Sequence, residues 1–101
     1  MSMANLQRMA QQMQRDMARV QAELDAATVE GSAGGGVVRA TATGKQEILE
    51  IVIDPSAVDP DDVEMLQDLV LTAVNDALRA SRDLAEQKMA AVTGGLRIPG
   101  M

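Results

Sequence analysis

The arginines of the N-terminal segment are the first candidates for chemistry, because guanidinium groups bind phosphate. Arg8, Arg15 and Arg19 fall within roughly 40° of one another when residues advance by about 100° around a helix. They lie nearly opposite an apolar stripe on the same segment. From the residues alone two interpretations stay open, a local phosphate-binding face and an ordinary solvated face.

The densest group of carboxylates, Asp54, Asp59, Asp61 and Asp62, lacks the pattern of a calcium loop. An EF-hand loop needs acidic residues at alternate positions, a central glycine and a closing glutamate. This run instead contains two prolines and no glycine. Helix capping accounts for the last three of these carboxylates, because carboxylates favour the start of a helix. We therefore predict no metal site and no cofactor.

Nucleophilic and nucleotide-binding motifs are missing as well. Ser32, Ser56 and Ser81 have no histidine to activate them, because the chain contains neither histidine nor cysteine. The glycine-rich run at residues 31–36 lacks the Gly-Lys-Ser/Thr of a P-loop and the strand and helix that flank one. We interpret this run as a hairpin loop, and we expect a protein that is not an enzyme and binds no small-molecule ligand.

Length and composition favour one small domain that self-associates. The chain has 101 residues, a net charge of −6 and no aromatic side chain. Large side chains supply most of the free energy of burial, so a monomer of this size has a thin core. No apolar run approaches the roughly 20 residues of a membrane span, which predicts a soluble cytoplasmic protein. The acidic balance means that any nucleic-acid role needs a local basic face.

An amphipathic helix is predicted at residues 1–27. Its apolar residues recur at close to the 3.6-residue period of a helix. They are Leu6, Met9, Met13, Met17, Val20 and Leu24. The three arginines lie on the other side of this helix.

A longer helix is predicted at residues 59–94, with Asp59 as N-cap, Pro60 in the first position and a stop at Gly94-Gly95. Its apolar face covers about half the circumference, so it needs two covering surfaces, such as its own sheet and a partner subunit. Ser81 and Lys88 continue the line of that face. We therefore expect the first turns to be buried in a body and the last turns to leave it.

The residues between the helices predict a small antiparallel sheet. Residues 37–43 and 47–53 alternate as strands do, around a short turn. This alternation places Leu49, Ile51 and Ile53 on one face and Ile48 on the other. Residues 28–30 fit a third, short strand. The layout is α+β in a single domain of residues 1–101, with residues 95–101 as a flexible tail and sheet edges that a dimer can cover.

Several short motifs also occur in register along the chain. They are Met-Ala-Gln-Gln-Met-Gln at 9–14, Val-Glu-Gly at 29–31, Val-Val-Arg-Ala-Thr at 37–41, Val-Ile-Asp-Pro-Ser at 52–56, Met-Leu-Gln-Asp-Leu-Val at 65–70, Asn-Asp-Ala at 75–77 and Lys-Met at 88–89. With these motifs the chain resembles the YbaB/EbfC family of bacterial nucleoid-associated proteins from about residue 6 to residue 99. The joint presence of Ile-Asp-Pro-Ser, Leu-x-Asp-Leu-Val and Asn-Asp-Ala is fairly specific.

The resemblance implies a tweezer-like homodimer of α-β-β-β-α subunits, with the sheets in a body and the helices as arms. It also implies binding to double-stranded DNA in the nucleoid, through residues on the two helices, with influence on nucleoid organisation and gene expression. The residues expected at the core and the dimer interface are Leu49, Ile51, Leu66, Leu69, Val70 and Val74.

Basic residues on the two helices are the expected DNA contacts. Arg8, Arg19 and Lys88 correspond to basic positions of relatives, and Arg15 lies on the same helix face as Arg8 and Arg19. Arg79 and Arg82 are second choices, since Glu86 and Asp83 lie within one turn of them and can form intrahelical pairs.

A second functional interpretation is a chaperone or protein-interaction module. Met9, Met13 and Met17 line one helix face, and methionine repacks easily against varied partners. Salt separates the two interpretations, because phosphate binding weakens steeply with added salt and apolar capture does not.

Overall fold

The computed structural model describes residues 2–93 as a helix, three antiparallel strands and a long helix. The elements are α1 (Met3–Ala26), β1 (Thr28–Ala33), β2 (Val38–Thr43), β3 (Ile48–Ile53) and α2 (Val63–Thr93). Short 3-10 turns at Gly34–Gly36 and Pro55–Ala57 follow β1 and β3. The predicted α-β-β-β-α order is confirmed. The predicted helix stop at residues 94–95 and the tail at residues 95–101 lie outside the described residues.

The long helix begins later than predicted, because Asp59 and Pro60 form a turn of their own. The Asp59 carbonyl accepts the Asp62 N–H at 2.9 Å, and Asp59 Oδ1 accepts the Asp61 N–H at 2.9 Å. Aspartate in the first position and proline in the second are typical of a type I turn. Asp62 Oδ1 then accepts the Met65 N–H at 3.2 Å, so Asp62 rather than Asp59 caps α2.

Small side chains bring α2 close to the sheet. The strand order is β1-β2-β3, and α2 lies mainly across β1 and β2. Gly31 lies inside β1 rather than in the hairpin loop where it was predicted. A Cβ atom at Gly31 would overlap the backbone of Ala73 and Ala77 on α2. The glycine is therefore needed for the close approach of the helix, and only the three glycines after β1 form the loop, all with positive φ.

A bulge in β3 changes which of its side chains face α2. Ile51 pairs with Ala40 and Ile48 pairs with Ala42, so Leu49 is the extra residue between the paired positions. Ala40 and Ala42 are fully buried under α2, and Ile48 packs against that core. The prediction that Ile48 lies on the opposite face from Ile51 was therefore wrong, because strict alternation does not allow for a bulge.

The core between α2 and the sheet is thin. Its buried members are mostly alanines, and the list is Ala33, Val38, Ala40, Ala42, Ala57, Ala73 and Ala77. Leu66, Leu69, Val70 and Val74 pack against this cluster but stay partly exposed. Among the described residues, the largest fully buried side chains are those of Val38 and Ser81. A core this poor in large side chains contributes little free energy of burial.

The molecule is elongated because α1 extends beyond the sheet. The described residues span 70 × 29 × 16 Å. Val20 and Leu24, near the end of α1, are buried, whereas Leu6, Met9 and Met17 are exposed. Residues 3–19, which contain no buried side chain, are called the α1 arm below. Neither helix within residues 2–93 is long and apolar enough to cross a membrane.

Candidate nucleic-acid interface

The α1 arm presents its arginines to solvent. Ser2 starts the helix by accepting the Asn5 N–H on its hydroxyl at 3.2 Å. Arg8 and Arg15 are exposed, and neither forms an ion pair with another residue of the 2–93 range. Within the described part of the chain, Arg15 donates only to the neutral Gln12 side chain, at 3.5 Å. These two guanidinium groups are therefore open to an external anion.

Two other predicted contacts, Arg19 and Lys88, share one carboxylate. Glu23 Oε1 lies 3.6 Å from Arg19 Nε, and Glu23 Oε2 lies 3.1 Å from Lys88 Nζ. Asp16 Oδ1 adds a second carboxylate 3.5 Å from an Arg19 nitrogen. The Glu23–Lys88 pair joins α1 to α2 where the two helices lie side by side. Lys88 is therefore only partly exposed, and its ammonium group is already paired with a carboxylate.

The second-choice residues on α2 differ in their surroundings. Arg79 lies 3.9 Å from Asp76, one turn earlier, instead of pairing with Asp83, one turn later. Asp76 is held in place because its carboxylate also accepts the Ser32 N–H of β1 at 3.1 Å. Arg82 is exposed, forms no ion pair within the described part of the chain and lines a groove between α1, α2 and the β2–β3 turn.

Ser81 does not mark the exit of α2 to solvent, and that prediction was wrong. Its side chain is fully buried, and its hydroxyl accepts the Gln46 N–H at 2.8 Å. Gln46 has a φ of 63°, an uncommon conformation for a residue other than glycine. The polar residue on the apolar face of α2 thus satisfies a backbone donor of the β2–β3 turn. The predicted body reaches further along α2 than expected.

Of the two basic residues of the hairpin, one pairs with a carboxylate and the other lies near one without forming an ion pair among the described residues. Lys45 Nζ lies 3.1 Å from Asp25 Oδ2 at the end of α1. Arg39 on β2 is paired with Val52 on β3 and lies near Asp54. Hydrogen bonds from the Ser56 backbone and side chain, with a smaller contribution from the Arg39 charge, lower the pKa of Asp54.

Charge is distributed unevenly along the chain. The α1 arm carries three arginines against one aspartate. Residues 54–68, which lead into α2, carry six carboxylates and no cation. These carboxylates include Asp54, Asp59 and Asp62, which cap turns and the helix start. The arm therefore carries a net positive charge, so the acidic net charge of the whole chain does not exclude a local basic surface.

Large apolar side chains remain exposed on the other surfaces. On β3, Leu49, Ile51 and Ile53 are exposed because α2 covers mainly β1 and β2. On α2, an apolar groove is lined by Leu66, Gln67, Val70, Leu71 and Val74. The predicted dimer residues therefore lie on uncovered surface or at the margin of the core.

Comparison with known proteins identifies the family. Residues 1–96 match the model of the YbaB/EbfC DNA-binding family. The chain belongs to the YbaB/EbfC DNA-binding family. A protein named nucleoid-associated protein from Moorella thermoacetica is 55% identical over 103 residues, covering 99% of each chain. A protein of the same name from Acetivibrio thermocellus is 58% identical over 98 residues, covering 96% of this chain and 87% of its own.

A solved structure agrees with the YbaB/EbfC fold described above. The crystal structure of the uncharacterized protein HP0035 from Helicobacter pylori matches with a TM-score of 0.73 at 22% identity. The match covers 96% of this chain and 99% of that one. This likeness concerns the fold alone.

Two contacts of this family member could not be predicted from its sequence. The Arg19–Glu23 spacing of four residues is a recognisable intrahelical pair, but nothing local links Glu23 to Lys88 across the two helices. The Ser81 hydroxyl joins elements that are 35 residues apart in the chain. Such contacts depend on how the helices and the hairpin pack together, which no local pattern records.

Proposed function

We propose that this chain binds double-stranded DNA as a homodimer in the bacterial nucleoid, through basic residues on its helical arms, and so influences nucleoid organisation and gene expression. The observation that carries the proposal is the exposed arginine face of a projecting helix in a chain of a DNA-binding family. The proposed contacts are Arg8, Arg15, Arg19, Arg79, Arg82 and Lys88.

Phosphate contacts are the expected mode of binding. Along a helix that rises about 1.5 Å per residue, Arg8 and Arg15 lie about 10 Å apart, so they can reach different phosphates of one duplex. Arginine and lysine that contact phosphates contribute affinity but carry little base information. We therefore expect binding with weak sequence preference.

A second copy of the chain is the proposed cover for the exposed apolar surface. Leu71 is 60% exposed on α2, and Leu49 and Ile51 are exposed on β3. Burying such side chains in a dimer interface contributes about 25 cal/mol of stabilising free energy for each Å² of apolar surface removed from water. This contribution is important because the core of the single chain is thin and supplies little stability of its own. A homodimer also doubles each cluster of basic residues, which strengthens the attraction for DNA.

Binding to random-sequence duplex at two salt concentrations tests the proposal. Between about 50 mM and about 200 mM salt, a protein with several phosphate contacts loses orders of magnitude in affinity. We expect that steep loss here, measured by fluorescence anisotropy on a labelled duplex. No binding at the lower salt concentration would overturn the proposal.

The chaperone or interaction-module alternative rests on the exposed methionines. Met9 and Met17 are exposed on the α1 arm together with Leu6, and flexible apolar side chains can repack against a protein partner. Capture of a non-native protein through these residues would persist or strengthen as salt is added. Light scattering of a denatured client at both salt concentrations separates this alternative from DNA binding.

A further inference from the structure

Glu23 lies between two of the cations that are proposed to contact DNA. Its two carboxylate oxygens are divided between them, with Oε1 3.6 Å from Arg19 Nε and Oε2 3.1 Å from Lys88 Nζ. Among the ion pairs of residues 2–93, Glu23 is the one carboxylate that pairs with a cation on each helix. It is therefore positioned to act on both helices at once.

The pairs are exposed enough to exchange partners. The side chains of Arg19, Glu23 and Lys88 are 61%, 43% and 31% exposed. Ion pairs that are open to water contribute little net stability, because water and salt screen them. A DNA phosphate approaching Arg19 or Lys88 therefore competes with Glu23 for the same N–H donors.

The cations of the proposed surface thus form two groups. Arg8 and Arg15 have no carboxylate partner among the described residues, and an approaching phosphate meets them directly. Arg19 and Lys88 must first give up Glu23, and Arg19 must also give up Asp16. The second group contributes less to affinity than its positive charge alone would suggest, since a contact that replaces an existing partner gains less free energy.

We propose that Glu23 is an internal competitor of DNA phosphate that sets the affinity of the chain by occupying Arg19 and Lys88. This inference rests on the proposed DNA binding through the helical arms. The carboxylate keeps part of the basic surface neutral in the free protein, so binding is weak enough to be reversed by modest changes in salt. Removing the charge of Glu23 frees Lys88 on α2 and leaves Arg19 on α1 with Asp16 as its one carboxylate partner among the described residues.

The test compares Glu23→Gln with Glu30→Gln. Both changes remove one negative charge with a side chain of nearly the same shape, and Glu30 is exposed on β1 without an ion pair inside the described range. We expect Glu23→Gln to raise affinity for a random duplex about three- to tenfold, and to steepen the salt slope by between about one and about two units. Glu30→Gln is expected to change affinity less than about twofold, because a distant exposed charge is screened.

A background that lacks both cations shows whether they carry the gain. With Arg19→Ala and Lys88→Ala already present, adding Glu23→Gln should change affinity no more than Glu30→Gln does. A gain from Glu23→Gln that survives in this background would overturn the proposal. Equal gains from Glu23→Gln and Glu30→Gln would overturn it as well, while leaving the proposed DNA binding intact.

A measurement without DNA checks the ion pair separately. The chain has two lysines, Lys45 and Lys88, and only Lys88 contacts Glu23. The acylation rate of Lys88, followed by peptide mass spectrometry, should rise in Glu23→Gln relative to that of Lys45. An unchanged ratio of the Lys88 rate to the Lys45 rate would overturn the proposal, because Glu23 would then not occupy the Lys88 ammonium group. A raised ratio with no duplex binding by any variant, the parent included, would overturn the proposed function and this inference together.

Discussion

At the scale of single residues, the basic side chains of the two helices differ in how free they are. Arg8 and Arg15 extend from the α1 arm into solvent, whereas Arg19 and Lys88 are paired with Glu23. Helix position alone does not distinguish them, because Arg8, Arg15 and Arg19 share one face. The difference comes from the carboxylates that surround each one, and it determines how much each can contribute to binding.

Removing these four cations should weaken DNA binding without affecting the fold. The variant carrying Arg8→Ala, Arg15→Ala, Arg19→Ala and Lys88→Ala is expected to lose affinity about equally for any duplex sequence. Its salt slope should flatten by between about two and about four units, at close to one unit for each lost phosphate contact. The free energy of unfolding should fall by no more than about 1 kcal/mol, because exposed ion pairs contribute little. Anisotropy titrations and urea unfolding measure the two quantities.

The matched control removes two cations from the hairpin. Arg39→Ala combined with Lys45→Ala should leave most of the DNA affinity in place. If this control loses DNA binding while the four-residue variant keeps it, the sheet is the binding surface and the assignment of the arms is wrong.

Ser81 is expected to matter for stability and not for DNA binding. Ser81→Ala leaves the Gln46 N–H without its acceptor at a partly buried position, which costs about 1–3 kcal/mol. Urea unfolding should show this loss, with DNA affinity unchanged below the transition. Thr72→Ala, on the exposed side of α2, is the control and should change stability by about 0.5 kcal/mol or less. Equal effects of the two changes would contradict the role given to the hydrogen bond.

At the scale of the elements, the short distance between α2 and the sheet depends on glycine and alanine, whose side chains are absent or small. Gly31 on β1 faces the backbone of Ala73 and Ala77, and alanines line β2 beneath the helix. The helix can therefore lie close to the sheet along its middle turns. Any added carbon there must displace backbone, which cannot move as freely as the end of a side chain.

Gly31→Ala is accordingly expected to destabilise the chain strongly. Overpacking usually costs about 1–3 kcal/mol, and overlap with backbone places this site at or above the upper end of that range. Gly35→Ala is the matched control, because nothing lies within 4 Å of its Cβ position and only its φ of 74° opposes the change. That control should cost about 1 kcal/mol. Thermal unfolding of the two variants should rank them in this order, and the reverse order would contradict the packing argument.

The elements themselves could be predicted from the sequence, but several of their contacts could not. The helix periods and the strand alternation are local, so the α-β-β-β-α order followed from them and from the family resemblance. Gly31 was assigned to a loop because glycine ordinarily indicates a turn, whereas here it allows a helix to approach. The bulge that turns Ile48 toward the core, and the link from Ser81 to Gln46, depend on the tertiary arrangement. The Glu23–Lys88 pair was missed for the same reason.

At the scale of the whole molecule, an elongated chain carries a second apolar surface apart from its arginine face. The α1 arm holds the arginines and also exposes Leu6, Met9 and Met17, whereas the second apolar surface lies on β3 and in the groove on α2. This separation allows a second copy to cover β3 and the α2 groove without covering the arm. Acidic residues 54–68 are also remote in sequence from the arm, and the dimer would carry two basic arms on an acidic body.

Leu71→Asp should separate assembly from folding. Leu71 is 60% exposed in the single chain, so a charge there is tolerated unless a partner covers it. In an interface the charge would have to be desolvated at a cost of several kcal/mol. The parent is expected to sediment as a dimer of about twice 10.7 kDa at micromolar concentration. The variant is expected to sediment as a folded monomer or to show greatly reduced stability.

Thr72→Asp, one position away and off the groove, is the control for the added charge. A variant that stays dimeric with unchanged melting would remove this groove from the interface.

In the proposed homodimer, the thin core has a consequence for how the amount of folded protein depends on its expression. Val38 and Ser81 are the largest side chains that the described chain fully buries, so much of the stability of a dimer would come from the partner. A protein stabilised by association has a melting temperature that rises with its own concentration. Scarce copies would then be unfolded and degraded more readily than abundant ones. The amount of folded dimer would therefore rise more than proportionally with the amount of protein synthesised. A small change in expression would then become a larger change in the amount of DNA that is covered.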